Sequence, residues 1–362
     1  MLKPIHRVNC LPALAACQRL MQRFVLWLCD ANVHGTDVTE ANLRAQMPST
    51  IEGEWLCVLV AVDQRSTTKT KKLLEDAKAI ADLPAQEKQG LKQWVQAVAN
   101  LSQHFTAAPP AALPIDAPNG WKKQGRQWTS FKALMVAFYE EGLRDGLPYQ
   151  SNGTPTADTT LRVTYKQFER EFRQAHRLDP HPDAREVCVL CGGELKLPAV
   201  DHWVGKAAFP LLAVCADNLL PICGECNEAP QKGQRPVHAD GNFTDWFHPY
   251  HRHSSGALRL RYDEVAFAIR VDSNDPAHML KVSNLDTLLN LGERWTREFK
   301  AEYRRVQREV EKLRKKQPGL TLDEVRLRLT DYRDRLSDAE PNVDVHRIVA
   351  ETVLTPARLS AL

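Results

Sequence analysis

Two Cys-x-x-Cys pairs, Cys188/Cys191 and Cys223/Cys226, constrain this chain more than any other feature. Thiols two residues apart sit on a tight turn, and two such turns supply the four soft ligands of a closed tetrahedral zinc site. The span between the pairs is longer than a compact zinc ribbon needs, so a further segment is inserted there. A four-thiolate site is in itself only a structural staple.

The other five cysteines, Cys10, Cys17, Cys29, Cys57 and Cys215, lie in apolar, mostly helical-looking context. Free buried thiols behave as small hydrophobes and suit a reducing compartment, so a cytoplasmic location is expected. The chain has 362 residues, 43% hydrophobic and 26% charged, enough for two or three cores of ordinary soluble type. A net charge of +3 excludes a uniformly basic nucleic-acid binder, so any such footprint is local. The longest apolar run, Trp55 to Val62, is too short to cross a membrane, and Gln18-Arg19 interrupts the N-terminal apolar stretch that a signal peptide would need.

Residues 1–105 read as amphipathic helices, with EWLCVLVAV either a buried strand or a core helix. A Pro/Ala-rich linker is expected over 106–120, and a second helical region over 121–182. The cysteine module spans 183–240. In 241–362, ALRLRYDEVAFAIRVD alternates as two short antiparallel strands, followed by two charged helices broken at Pro318-Gly319. The expected fold is mainly α, with a small α+β module and a short antiparallel β segment.

Within the cysteine module the residues fall in a recognisable order: CVLC, then Asp201-His202, FPLLAV, Asn218 in DNLLPIC, CGECN ending on Asn227, and QKG with Lys232. About fifty residues with this order resemble the four-cysteine branch of the HNH nucleases, whose fold is the zinc-stapled ββα-metal module. The resemblance implies phosphodiester hydrolysis leaving a 5′ phosphate and a 3′ hydroxyl. His202 would be the general base, a role suited to a histidine neutral near physiological pH. Asp201 and Asn227 would offer hard oxygen ligands to a catalytic Mg²⁺, with Mn²⁺ as substitute. Many members carry histidine at the last position; asparagine here favours the harder ion. Asn218 would hydrogen-bond the loop backbone and orient His202. Taken alone, Asp201-His202 could equally be an Asx-turn aspartate beside a surface histidine.

Lys206, Lys232 and Arg235 flank the motif as candidate phosphate binders, with solvated surface the alternative. The basic helix 294–316 either tracks a DNA backbone or forms a salt-bridged solvent-exposed arm. His248, His251 and His253 raise a second metal site against ordinary packing. Cys215 reads as core. No Gly-rich loop with Lys-Ser/Thr is present, so the chain has no evident NTPase of its own. By analogy with bacterial anti-phage nucleases, a separate ATPase or other regulatory chain is an expected partner, with double-stranded DNA as substrate. The competing expectation is a non-catalytic four-cysteine zinc module that binds nucleic acid or protein; RNA or single strands as substrate is a third.

Overall fold

The computed structural model describes residues 3–60, 68–106, 111–181, 183–254 and 256–362. The first helix, α1 (Leu11–Leu28), buries Leu14, Cys17, Met21, Phe24 and Leu28, apolar residues on helical spacing. Thr39 and Ser49 cap the next two, α2 (Glu40–Gln46) and α3 (Thr50–Leu59), by accepting from the Asn42 and Glu52 amides. The apolar run that begins at Trp55 is helical through Leu59: Trp55, Leu56 and Leu59 are buried while Val58 faces solvent. Its end lies outside the described residues. There follow α4 (Thr68–Ala81), α5 (Ala85–Ala99), α6 (Gln103–Thr106) and α7 (Arg126–Ala137), which runs on into a π-helical turn, Phe138–Leu143. Thr164 caps α8 (Tyr165–Ala175).

The stretch expected as a linker is held down wherever it is described. Leu113 is buried and its N–H donates to the Gly241 carbonyl at 3.0 Å. The Trp94 indole donates to the Asp116 carbonyl at 3.0 Å, and Asn119 Nδ2 to the Glu87 carbonyl at 2.8 Å. Prolines remove donors but leave carbonyls, and side chains of neighbouring elements take them up. One continuous cluster of buried apolar side chains, from Val8 to Leu359, crosses the domain boundaries that composition suggests.

The cysteine module forms β1 (Ala199–His202) and β2 (Leu219–Ile222), paired antiparallel with Asp201 opposite Leu220 and His202 opposite Leu219. A one-turn helix, α9 (Gly224–Asn227), follows. A second antiparallel pair, β3 (Arg259–Asp263) and β4 (Ala268–Asp272), is found where the alternating pattern predicts it. Beyond it come α10 (Met279–Leu289), α11 (Leu291–Lys316), α12 (Leu322–Arg335), α13 (Val343–Val353) and α14 (Pro356–Ser360). Asn290, in the left-handed region at φ 51°, separates α10 from α11. Trp295, Phe299, Tyr303, Val306 and Val310 form the inward stripe of α11, and α13 packs against both charged arms. The architecture is mainly helical with two small antiparallel sheets. No helix among the described residues is long and apolar enough to cross a membrane.

One buried histidine ties the N-terminal segment to α8. His176 Nδ1 faces the Phe172 carbonyl at 2.8 Å, its ring stacks on Phe172 at 3.9 Å, and Nε2 accepts from the His6 amide at 2.8 Å. Burial lowers its pKa from 6.5 to about 4. The unfolded chain therefore takes up a proton that the folded one refuses: this contribution is complete above pH 6.5 and is lost as pH falls through 4. Denaturant unfolding at pH 7 and pH 5 is expected to show His176→Gln losing about 2 kcal/mol less than wild type between them.

Candidate metal-stapled active site

Each Cys-x-x-Cys pair closes its own turn. Gly192 N donates to Cys188 O at 2.8 Å, with Gly192 at φ 72°, and Cys226 N donates to Cys223 O at 3.0 Å. The two turns meet so that one sulfur from each of the four buried cysteines lies within 4.8 Å of all the others. Cys191 and Cys223 Sγ are 3.8 Å apart. A tetrahedron with Zn–S bonds of about 2.3 Å has an edge of about 3.8 Å, so the donor set fits a structural zinc ion. From α11, Arg294 Nη1 donates to Cys226 Sγ at 3.3 Å and Trp295 Nε1 to Cys191 O at 3.1 Å. A buried guanidinium beside a thiolate cluster offsets its negative charge. A cleft of about 570 Å³, lined by Cys191, Cys223, Glu225 and Arg294 among others, opens beside the cluster.

Between the two turns, β1 and β2 are joined by a loop over residues 203–218 whose interior is apolar: Trp203, Phe209, Leu211, Leu212 and Val214 are all buried. Phe209 stacks on Trp94 of α5 with centroids 6.4 Å apart, and Trp203 Nε1 donates to Phe247 O at 3.2 Å. Asn218, fully buried, stitches the loop from within. Its Oδ1 accepts from Val204 N at 2.7 Å, and its Nδ2 donates to Val204 O at 2.9 Å and Leu212 O at 3.2 Å. The loop thus presents the Ala213 carbonyl to His202 Nε2 at 2.9 Å. A carbonyl only accepts, so Nε2 carries the ring proton and Nδ1 is left as the basic nitrogen. Burial first, then Lys206, push the His202 pKa down to about 3, against the opposing pull of the Ala213 carbonyl. The ring is neutral at physiological pH.

Tyr139, in the π-helical turn, is a site residue that sequence reasoning missed. Its ring meets His202 edge-on at 4.5 Å, and its hydroxyl donates to Val200 O at 3.4 Å. Helical pattern alone gives no sign of a π-turn, although such turns concentrate at functional sites. Lys206 sits over the same ring at 4.5 Å and pairs with Glu140 at 2.9 Å.

Asp201 points into a different environment. Lys232 Nζ lies 2.9 Å from each carboxylate oxygen but is aligned for a hydrogen bond only to Oδ1, and it also donates to His202 O at 2.7 Å. Oδ2 is buried with no aligned donor. Burial raises the Asp201 pKa while the Lys232 ammonium works to lower it. Lys232, expected as a phosphate binder, is 1% exposed, and its charge is spent inside the protein. Asn227, expected to open a helix, instead ends one: Pro230 cannot continue a helix and disfavours helical backbone at Ala229, so α9 stops after one turn. Its side chain is half-buried.

Of the other flanking cations, Arg235 caps α10, donating to Thr287 O at 2.9 Å and Leu288 O at 3.2 Å. In the basic helix, Arg294 is buried on the cluster, Arg305 is paired with Glu302 at 2.5 Å and Lys312 with Glu309 at 2.8 Å. These contacts match the salt-bridged arm. His248 is fully buried between the Phe105 and His251 rings, and His251 pairs with Asp217 at 2.9 Å. The four cysteines are the one metal-capable cluster of histidine, cysteine and carboxylate groups among the described residues.

Elemental analysis is expected to find a single zinc ion per chain. Cys226→Ser should lose it and cost roughly 4 kcal/mol or more in denaturant unfolding, the scale of a lost metal site. A wild-type chain free of zinc would show that the cluster is empty in solution.

Comparison of the chain with protein-family models, with curated proteins and with solved structures found no match, so its function is argued from these residues.

Proposed function

We propose that the chain is a metal-dependent endonuclease of the HNH type acting on DNA, with His202 as general base. The observation that carries this reading is the 2.9 Å contact between His202 Nε2 and the Ala213 carbonyl. A donor bond from Nε2 to the Ala213 carbonyl, on a loop stitched by Asn218, leaves Nδ1 with a lone pair for a water. Asp201 and Asn227 would hold a hard divalent cation, Mg²⁺ or Mn²⁺; the orphaned Asp201 Oδ2 is the fitting donor. Such an ion, when bound, neutralises charge that builds on the leaving 3′ oxygen.

The chain's own groups do the rest. His202 Nδ1 accepts the proton of the attacking water while the Ala213 carbonyl stabilises the resulting imidazolium through the Nε2 proton. A phosphate beside the ring raises the His202 pKa from its low resting value, toward one matched to proton uptake. Tyr139 fixes the ring plane from one side. Lys232, bonded to Oδ1 and close to Oδ2, would compete with a divalent ion for the Asp201 carboxylate through like-charge repulsion. The regulatory partner chain and the anti-phage setting belong to this proposal by analogy only.

A second reading has one observation in its favour. An Asp201 carboxylate already matched by a buried ammonium needs no further cation, as in a non-catalytic zinc module that binds nucleic acid or protein. Plasmid incubated with the protein and Mg²⁺ decides between them. The nuclease reading expects cleavage, abolished by EDTA and lowered at least 100-fold in His202→Ala; binding without cleavage in any divalent metal supports the module. A metal titration followed by Mn²⁺ electron paramagnetic resonance is expected to show at least tenfold tighter binding in Lys232→Met than in wild type. Asp201→Asn should remove that binding.

A further inference from the structure

The geometry points to α8 as a duplex-DNA-binding surface: Lys166, Arg170, Arg173 and Arg177 form a cationic stripe that leads to the β1 site. Lys166, Arg170 and Arg173 recur at intervals of four and three residues, which places them on one face of α8, and Arg177, two residues past its end, lines the same groove. Phe168 and Phe172 occupy the opposite face and are buried. Lys166, Arg170 and Arg177 are exposed, and Arg173 keeps 41% of its side chain in solvent. At about 1.5 Å of rise per residue, the helical part of the stripe, from Lys166 to Arg173, is about 10 Å long.

The stripe borders a groove of about 260 Å³ that also contains Glu169 and Glu186. Both carboxylates are spent on Arg173, at 3.5 and 2.6 Å, which leaves the groove net positive and holds Arg173 in place. Arg177 is directed by its bond to His181 O at 2.7 Å. One strand of duplex DNA carries a phosphate for every 3.4 Å or so of rise, so three cations over about 10 Å, extended by Arg177, suit a phosphate row. No aromatic ring of α8 lies on the stripe for bases to stack on: Phe168 and Phe172 are buried and Tyr165 faces β1. That disfavours a single strand, whose affinity comes largely from stacking.

The position of the stripe relates it to the chemistry. Tyr165, next to Lys166, accepts from Val200 N at 3.2 Å, one residue before Asp201. The Tyr165 ring contacts Tyr139 at 6.4 Å, and Tyr139 contacts His202. A duplex lying along α8 would thus begin beside the strand that carries Asp201 and His202. The inference rests on the nuclease reading for its choice of DNA, and its test is independent of cleavage.

The experiment is fluorescence anisotropy of a labelled DNA duplex with the full, zinc-loaded chain and no added Mg²⁺ or Mn²⁺, across a salt series. Each phosphate contact contributes about 0.9 to the slope of log affinity against log salt. The triple substitution Lys166→Gln/Arg170→Gln/Arg177→Gln is expected to reduce that slope by about 2 to 3 and to weaken binding at least tenfold near 0.1 M salt. Arg170→Lys/Arg177→Lys, which keeps the charge, should bind like wild type. A triple variant with unchanged slope and affinity overturns the inference, as does a wild-type chain that binds single-stranded RNA in preference to the duplex. Absence of plasmid cleavage with the stripe effect intact would instead remove the nuclease reading alone.

Discussion

The meeting of four sulfurs is the constraint on which the cysteine module depends. The first pair lies before β1 and the second directly after β2, so one ion would fasten the open end of a two-stranded ribbon four residues long, where Ala199 faces Ile222. A hairpin that short has little stability in water by itself. Around the thiols the protein has placed a buried guanidinium, Arg294, and a carbonyl bonded by Trp295, both from α11. Asn342, at the start of α13, adds an N–H bond of 2.7 Å to the Gly192 carbonyl. The C-terminal helices therefore serve the cluster as a second layer, and their burial is tied to its integrity.

The N-terminal helices serve the other side. Phe209 against Trp94 and the buried Leu211, Leu212 and Val214 anchor the connecting loop in the helical core, and that loop aims the Ala213 carbonyl. Asn218 contributes three hydrogen bonds to a segment whose backbone is otherwise closed by short turns. The orientation of one imidazole is thus set by packing far away in sequence, transmitted through a short irregular loop. The buried Lys232–Asp201 pair next to it is held by packing as much as by charge, since an ammonium so enclosed keeps its place only when every donor is matched.

Much of this was legible in the residue pattern. Helical spacing gave α1, α8 and α11, alternation gave the β3–β4 pair, and thiol spacing gave the cluster. The order of His202 and Asn218 identified two side chains that the fold brings around one loop, while Asp201 faces Lys232. What escaped were long-range partners. Nothing local marks Tyr139 as a neighbour of His202, or Lys232 as buried, because both depend on where distant segments pack. Proline-rich composition suggested a tether at 106–120, but composition cannot tell whether carbonyls are solvated or bonded, and Trp94 and Gly241 decide the matter. The run beginning at Trp55 fits strand and helix equally until Ser49 is seen to cap it.

The loop's footing in α5 and α7 makes the central fifty residues a poor cassette. Excised with its metal, the segment would keep its knuckles and two short strands, but the bed under Phe209 would be gone and the imidazole would turn freely. Any transplantation or domain shuffling of this motif would have to carry the Trp94 region along with it.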